Sequence, residues 1–154
     1  MRKIKLQGIH SKGKYALVDD EDYERCIQYR WNVNRLDYPT RGVKTDKGWR
    51  SITMHRFIMG FPKTIIDHIN RNPLDNQKSN LRFCTHKQNK ANTRQHIQKK
   101  YKGVCKYRAK FIARLYHNGA SHNLGVYKTE KEAAIAYNNF AKQVHGEFAY
   151  LNKI

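Results

Sequence analysis

Asp67 and His68 stand side by side, followed at intervals by Asn80 and Asn89. The chemistry within reach of such a set is phosphodiester hydrolysis. That reaction needs a cation to neutralise charge on the phosphate and leaving oxygen, and a base of near-neutral pKa to activate water. Asp67 and His68 supply one group for each task. A hard cation such as Mg²⁺ takes oxygen ligands, and the Asp67 carboxylate and the Asn89 side-chain carbonyl are both suitable. So sparse a set suits Mg²⁺, with Mn²⁺ as the alternative, because the ion keeps several waters and accepts substrate phosphate. No structural zinc and no disulfide framework are expected: Cys26, Cys84 and Cys105 lie far apart with no close pairing.

An acid and a histidine adjacent on a strand point to opposite faces, so they serve one site only where the strand kinks or ends. The β-branched run Thr64-Ile65-Ile66 leads into the pair, and Asn70-Arg71-Asn72-Pro73 with Asp75-Asn76 is turn chemistry. Leu81-Arg82-Phe83-Cys84 reads as a second short strand. Thr85-His86-Lys87-Gln88 matches a capping box, which puts Asn89 in the first turns of a polar helix ending near the basic stretch Gln98-Lys99-Lys100.

The charge names the class of partner. The chain has 154 residues with 31 Lys+Arg against 12 Asp+Glu, a formal charge of +19. So large a surplus calls for a polyanion, and nucleic acid is the leading candidate. About a third of the surplus falls in each of residues 1–66, 67–100 and 101–154, so the charge is not a detachable tail. Affinity should therefore fall steeply with salt. The length fits one or two compact units. Long apolar runs of the kind that cross a membrane are absent, and the first residues lack the apolar stretch of a signal peptide, so a soluble, intracellular protein is expected.

Residues 1–60 read as short strands with one short helix. Tyr15-Ala16-Leu17-Val18 stops at the acidic run Asp19-Asp20-Glu21-Asp22, which suits a helix N-terminus with Asp20 as cap and Tyr23 and Ile27 on one face. Trp31 to Val33, Tyr38 to Thr40 and Trp49 to Met54 read as strands, with Lys47, Arg50 and Thr53 as phosphate contacts.

Beyond residue 100 the pattern is clearer. A strand about Gly103 to Tyr107 turns at Arg108-Ala109 into Lys110 to Tyr116; Asn118-Gly119 is the preferred pair for a tight hairpin, and His122 to Tyr127 returns. Thr129-Glu130-Lys131-Glu132 is a second capping box, and the helix it opens ends at Gly146. Three antiparallel strands covered by one helix follow, with Phe111, Ala113 and Leu115 inward and Ile112, Arg114 and Tyr116 facing away.

Two resemblances sharpen this. Ile66-Asp67-His68-Ile69-Asn70, Asp75-Asn76, Ser79-Asn80-Leu81-Arg82, Thr85 and Asn89 together resemble the HNH endonucleases of the phage and group I intron homing type, and Met54-His55-Arg56 resembles the segment that precedes their motif. The resemblance implies a ββα-metal fold with Asp67 and Asn89 as metal ligands, His68 as general base, and Asn80 holding the loop that orients His68. Arg71 stands where a glycine is frequent, and is assigned a DNA contact together with Arg56. Tyr101-Lys102-Gly103-Val104, Leu124-Gly125-Val126-Tyr127 and Glu132-Ala133-Ala134 with Ala136-Tyr137 resemble the plant ethylene-response-factor (Apetala-two type) DNA-binding domain. That implies a sheet lying in the major groove, with Lys102, Tyr107, Arg114, Tyr116 and Asn123 facing the bases. Arg114 suits guanine and Asn123 adenine, while Lys106, Arg108 and Lys110 hold phosphates. The other histidines, His10, His86, His96, His117, His122 and His145, are assigned to solvent or phosphate contact.

The expectation is thus an α+β chain: small strands and a ββα-metal nuclease segment over 1–98 (core 64–98), a linker at 99–101, and a DNA-reading sheet and helix over 102–154. It would hydrolyse duplex DNA at chosen sites in the cytoplasm of a bacterial host, if phage- or intron-encoded. A monomer that nicks is expected, with a dimer as the alternative where both strands are cut. The competing readings are a non-catalytic DNA-binding regulator and a nuclease without sequence selectivity.

Overall fold

The computed structural model describes residues 1–93 and 100–154; His96, Gln98 and Lys99 lie outside the described residues. The chain divides into two units, Met1–Thr85 and His86–Ile154. The division precedes the expected linker because the helix after Thr85 is tied to C-terminal residues. The Tyr150 N–H donates to the Ala91 carbonyl at 3.2 Å, and the Lys102 ammonium donates to the carbonyls of Ala91 (2.9 Å) and Thr93 (2.6 Å).

In the first unit β1 (Arg2–Lys5) pairs antiparallel with β2 (Tyr15–Val18). After α1 (Asp20–Ile27) come β3 (Asn32–Val33), β4 (Pro39–Thr45) and β5 (Gly48–Thr53), an antiparallel sheet in that order. The helix α2 (Met54–Ile58) leads to β6 (Ile65–His68) and β7 (Leu81–Cys84), paired antiparallel. Trp31, Val18, Cys26, Met54, Ile58, Ile66 and Leu81 share one core, so the β6–β7 hairpin is anchored through Ile66 and Leu81.

Three local expectations change here. Asp20 is the first residue of α1 rather than its cap; Asp19 holds the cap position with extended backbone, and its carboxylate accepts the Lys78 N–H at 2.7 Å instead of capping the helix. Tyr23 packs on the core while Ile27 is exposed, because Cys26, one position earlier and about 100° round the helix, takes the inward place. Met54 ends the strand reading one residue too late, since it opens α2. The buried pair Met54 and Ile58, four apart, is the helical signal.

In the second unit α3 (His86–Asn92) precedes β8 (Val104–Tyr107), β9 (Lys110–His117) and β10 (Ala120–Tyr127), in spatial order β10-β9-β8, and α4 (Glu130–His145). Asn118 (φ 49°) and Gly119 (φ 82°) are both left-handed, as the tight hairpin demands. The capping box is complete: the Thr129 hydroxyl accepts from Glu132 N–H at 3.2 Å, and the Glu132 carboxylate accepts from Thr129 N–H at 3.1 Å. Ala133, Ala134, Tyr137 and Ala141 of α4 are buried, as are Ala113 and Leu115 of β9, with Phe111 half-buried against them. Ile112 is buried too, although alternation points it away from these. His117, His122 and His145 are half-buried. They pack by their rings, His117 against His145 at 5.0 Å and His122 against Phe140 at 5.3 Å, because the ends of β9, β10 and α4 converge there. Among the described residues no helix is long and apolar enough to cross a membrane.

Candidate active site

The register of β6 with β7 sets Asp67 opposite Arg82 and His68 opposite Leu81. Because side chains alternate, His68 shares the inward face of Ile66 and Leu81, and Asp67 takes the other face. The Asp67 carboxylate accepts from Arg82 Nε at 3.1 Å and Nη2 at 2.9 Å, and both side chains are about nine-tenths buried. The strand ends where the pair requires it, with Ile69 N–H bonded to the Asn80 carbonyl at 2.9 Å and Arg71 N–H to the His68 carbonyl at 2.9 Å.

The connecting loop is closed by Asn80, which is itself buried. Its side-chain oxygen accepts from Asn70 N–H (3.0 Å), and its amide donates to Asn70 Oδ1 (3.0 Å) and to the Asp75 carbonyl (2.8 Å). The far side of the loop is fastened to β2. Leu17 N–H donates to the Leu74 carbonyl and Asn76 N–H to the Leu17 carbonyl, both at 2.8 Å. Lys78 adds an anchor to α1 through its ammonium and Glu21 at 2.5 Å. Arg71 sits at φ 63°, the left-handed conformation a glycine adopts without cost, so the turn keeps the shape that a glycine at this position would give.

Replacing Asn80 by alanine strands the Asn70 N–H and the Asp75 carbonyl. The expected loss is about 2 kcal/mol, a fall of roughly 10 °C in melting temperature for a unit of this size, measured by thermal unfolding of the full chain.

His68 is 4% exposed, and its Nε2 lies 3.4 Å from Asn76 Oδ1. Burial pushes its pKa below the ordinary histidine value, opposed by Asn76 and by the charges of Asp67 and Asp75. It is therefore a neutral imidazole at neutral pH, able to accept a proton. His55, on α2, is drawn down further, to about 3, by burial and then by His68 and Arg56. Sequence reasoning gave His55 no role beyond the resemblance of its segment. Its ring contacts depend on β4 and α2 meeting β6, which no local pattern reveals.

Asn89 lies half-buried on α3, in the second unit, and its carbonyl accepts from Thr93 Oγ1 at 3.1 Å. Asp67 carries a carboxylate oxygen and Asn89 an amide oxygen, each a donor type that suits a hard divalent cation.

The DNA-contact candidates divide by environment. Arg50 and Arg71 are exposed in the first unit, and Lys106, Tyr107, Arg108, Lys110, Arg114 and Tyr116 are exposed in the second. Asn123 is exposed, but its side-chain oxygen already accepts from Gly125 N–H at 3.2 Å, where the strand bulges. One expectation needs correction. Lys102 does not face outward: its half-buried ammonium serves the carbonyls of Ala91 and Thr93 and lies over the Tyr150 ring. Arg56 is half-buried and donates to the carbonyls of Pro62 and Thr64, bracing the entry to β6.

Residues 60–91, which hold Asp67, His68, Asn80 and Asn89, match the family model described as HNH endonuclease. Over 151 residues the chain is 36% identical to an uncharacterized HNH endonuclease of Acanthamoeba polyphaga mimivirus, and the match covers 93% of this chain and 77% of that protein.

Proposed function

The chain belongs to the HNH endonuclease family, and we propose that it hydrolyses phosphodiester bonds of duplex DNA at selected sites with a divalent cation, Mg²⁺ or Mn²⁺. The observation that carries this reading is the Asp67-His68 pair at the end of β6, buried and held by a loop that Asn80 closes. By the resemblance, Asp67 and Asn89 are the residues that would hold the cation; bound, it would neutralise charge on the phosphate. His68, neutral and fixed, takes the proton of the attacking water. Asn80 acts on the loop and so on the direction of His68.

Residues 102–154 would then select the target, as a sheet of the ethylene-response-factor kind. Exposed Arg114 and Tyr116 on β9 support this, as do Lys106, Arg108 and Lys110 around the β8–β9 turn. With one such centre per chain, a monomer nicks one strand at a time.

Supercoiled plasmid and long genomic DNA, incubated with the full chain and Mg²⁺ or Mn²⁺, should be nicked or cut, and EDTA should abolish the reaction. Mapping the ends decides selectivity: recurrent ends support site-directed cutting, and scattered ends favour a non-selective nuclease. Intact DNA with either metal would defeat the reading.

A further inference from the structure

Three rings close on one another at the end of β6. Tyr38, just before β4, His55 on α2 and His68 on β6 have centroids 5.4 Å apart for Tyr38–His55, 5.6 Å for Tyr38–His68 and 5.2 Å for His55–His68. Their planes cross at 61°, 61° and 83°, so every pair meets edge to face, the arrangement that ring quadrupoles favour. We infer that Tyr38 and His55 are positioning residues for the nuclease reaction: together they fix the ring plane of His68 and so the direction in which it meets water and phosphate.

The packing explains why two rings are needed. His68 is the last residue of β6, and its backbone pairing holds the chain but not the plane of its ring. Asn76 Oδ1, fully buried, approaches one edge of the His68 ring at 3.4 Å, and the rings of Tyr38 and His55 close on it from other sides. A ring wedged edge-on between two others cannot rotate without driving into one of them, since the interior is close-packed.

The hydrogen bonding of His55 shows how it acts. It is 8% exposed; among the described residues its Nδ1 has no hydrogen-bond partner, and its Nε2 lies 3.3 Å from Thr53 Oγ1. His55 meets both Tyr38 and His68 edge to face, so what it brings to them is the shape of a flat ring. Burial keeps that ring uncharged, so it adds no repulsion beside His68. Tyr38 fits the same account, because its ring meets both imidazoles.

The kinetic part of the test rests on the nuclease reading, and a second part does not. In the full chain, His55→Ala and Tyr38→Leu should each lower kcat for plasmid nicking at least tenfold, with KM for DNA unchanged within about threefold. His55→Phe and Tyr38→Phe, which keep a ring, should retain kcat within about threefold. Separately, the His68 imidazole resonances, assigned by difference with His68→Gln, should shift or broaden in His55→Ala and Tyr38→Leu and stay near their parent positions in Tyr38→Phe. His55→Phe as impaired as His55→Ala, in a chain that still melts cooperatively, would overturn the inference, because an imidazole nitrogen would then be essential. Unchanged His68 resonances in both His55→Ala and Tyr38→Leu overturn it whether or not the protein cuts DNA. Shifted resonances with no nicking by the parent chain defeat the nuclease reading and leave the positioning standing.

Discussion

His68→Ala is expected to lower DNA cleavage by at least a hundredfold while duplex binding stays within about threefold. A positioned general base contributes about 10² to 10⁴ in rate, and removing the imidazole removes the whole of that contribution. Binding should survive because phosphate contacts supply most of the affinity and the basic surplus is spread over the entire chain. The pH dependence of the parent chain supplies the matching signature. His68 must be neutral to accept a proton, and burial holds its pKa below the ordinary 6.5. The rate therefore rises with pH through that lowered pKa, and the acid limb of the profile lies below pH 6.5. Above it, this group no longer limits the rate. Initial nicking rates from pH 5 to 8 at fixed metal check the limb, and a gel-shift titration checks the binding. A variant that still cuts at a tenth of the parent rate would remove His68 from the chemistry.

Gly103→Ala is expected to be the most damaging single change in the second unit. A Cβ there would lie 2.1 Å from Cδ2 of Tyr137, 2.3 Å from its Cε2 and 2.6 Å from the Arg114 carbonyl oxygen. Neither neighbour yields: Tyr137 is buried among the alanines of α4, and the Arg114 N–H is bonded to the Gly103 carbonyl at 2.8 Å. Gly103 also sits at φ 76°, where a side chain is strained on its own account. Overpacking and left-handed strain together suggest a loss of about 3 to 5 kcal/mol, a drop of roughly 15 °C or more in melting. Gly119→Ala separates the two causes. It shares the positive φ, 82°, but its Cβ would meet nothing within 4 Å, so only about 1 to 2 kcal/mol should go. Equal effects at the two glycines would refute the steric argument. Thermal unfolding and hydrogen exchange of β8 and β9 amides measure the difference.

Much of the second unit was legible because its signals are local. Asn118-Gly119 and the Thr129–Glu132 box each act within four residues, and the structure keeps both. The β6–β7 pairing was readable for the same reason, as a β-branched run, an Asn-rich turn and a second short run. Met54 was misread because a short apolar run fits strand and helix alike until its packing partners are known. Lys102 was misassigned because a cation's type does not say whether water, phosphate or a stranded carbonyl receives it.

What the amino-acid order by itself determined was the chemical inventory, Asp67, His68, Asn80 and Asn89 at family spacing, and the strand whose alternation turns the first two to different faces. What only tertiary structure decided was their surroundings. Arg82 is paired with Asp67 across the hairpin, while Asn76, Tyr38 and His55 come from separate segments to enclose His68. Spacing along a chain controls which groups share a face over a few residues. Burial, ring contacts and the pKa they impose depend on elements far apart in sequence, and those meet only when the common core of Trp31, Met54, Ile66 and Leu81 forms.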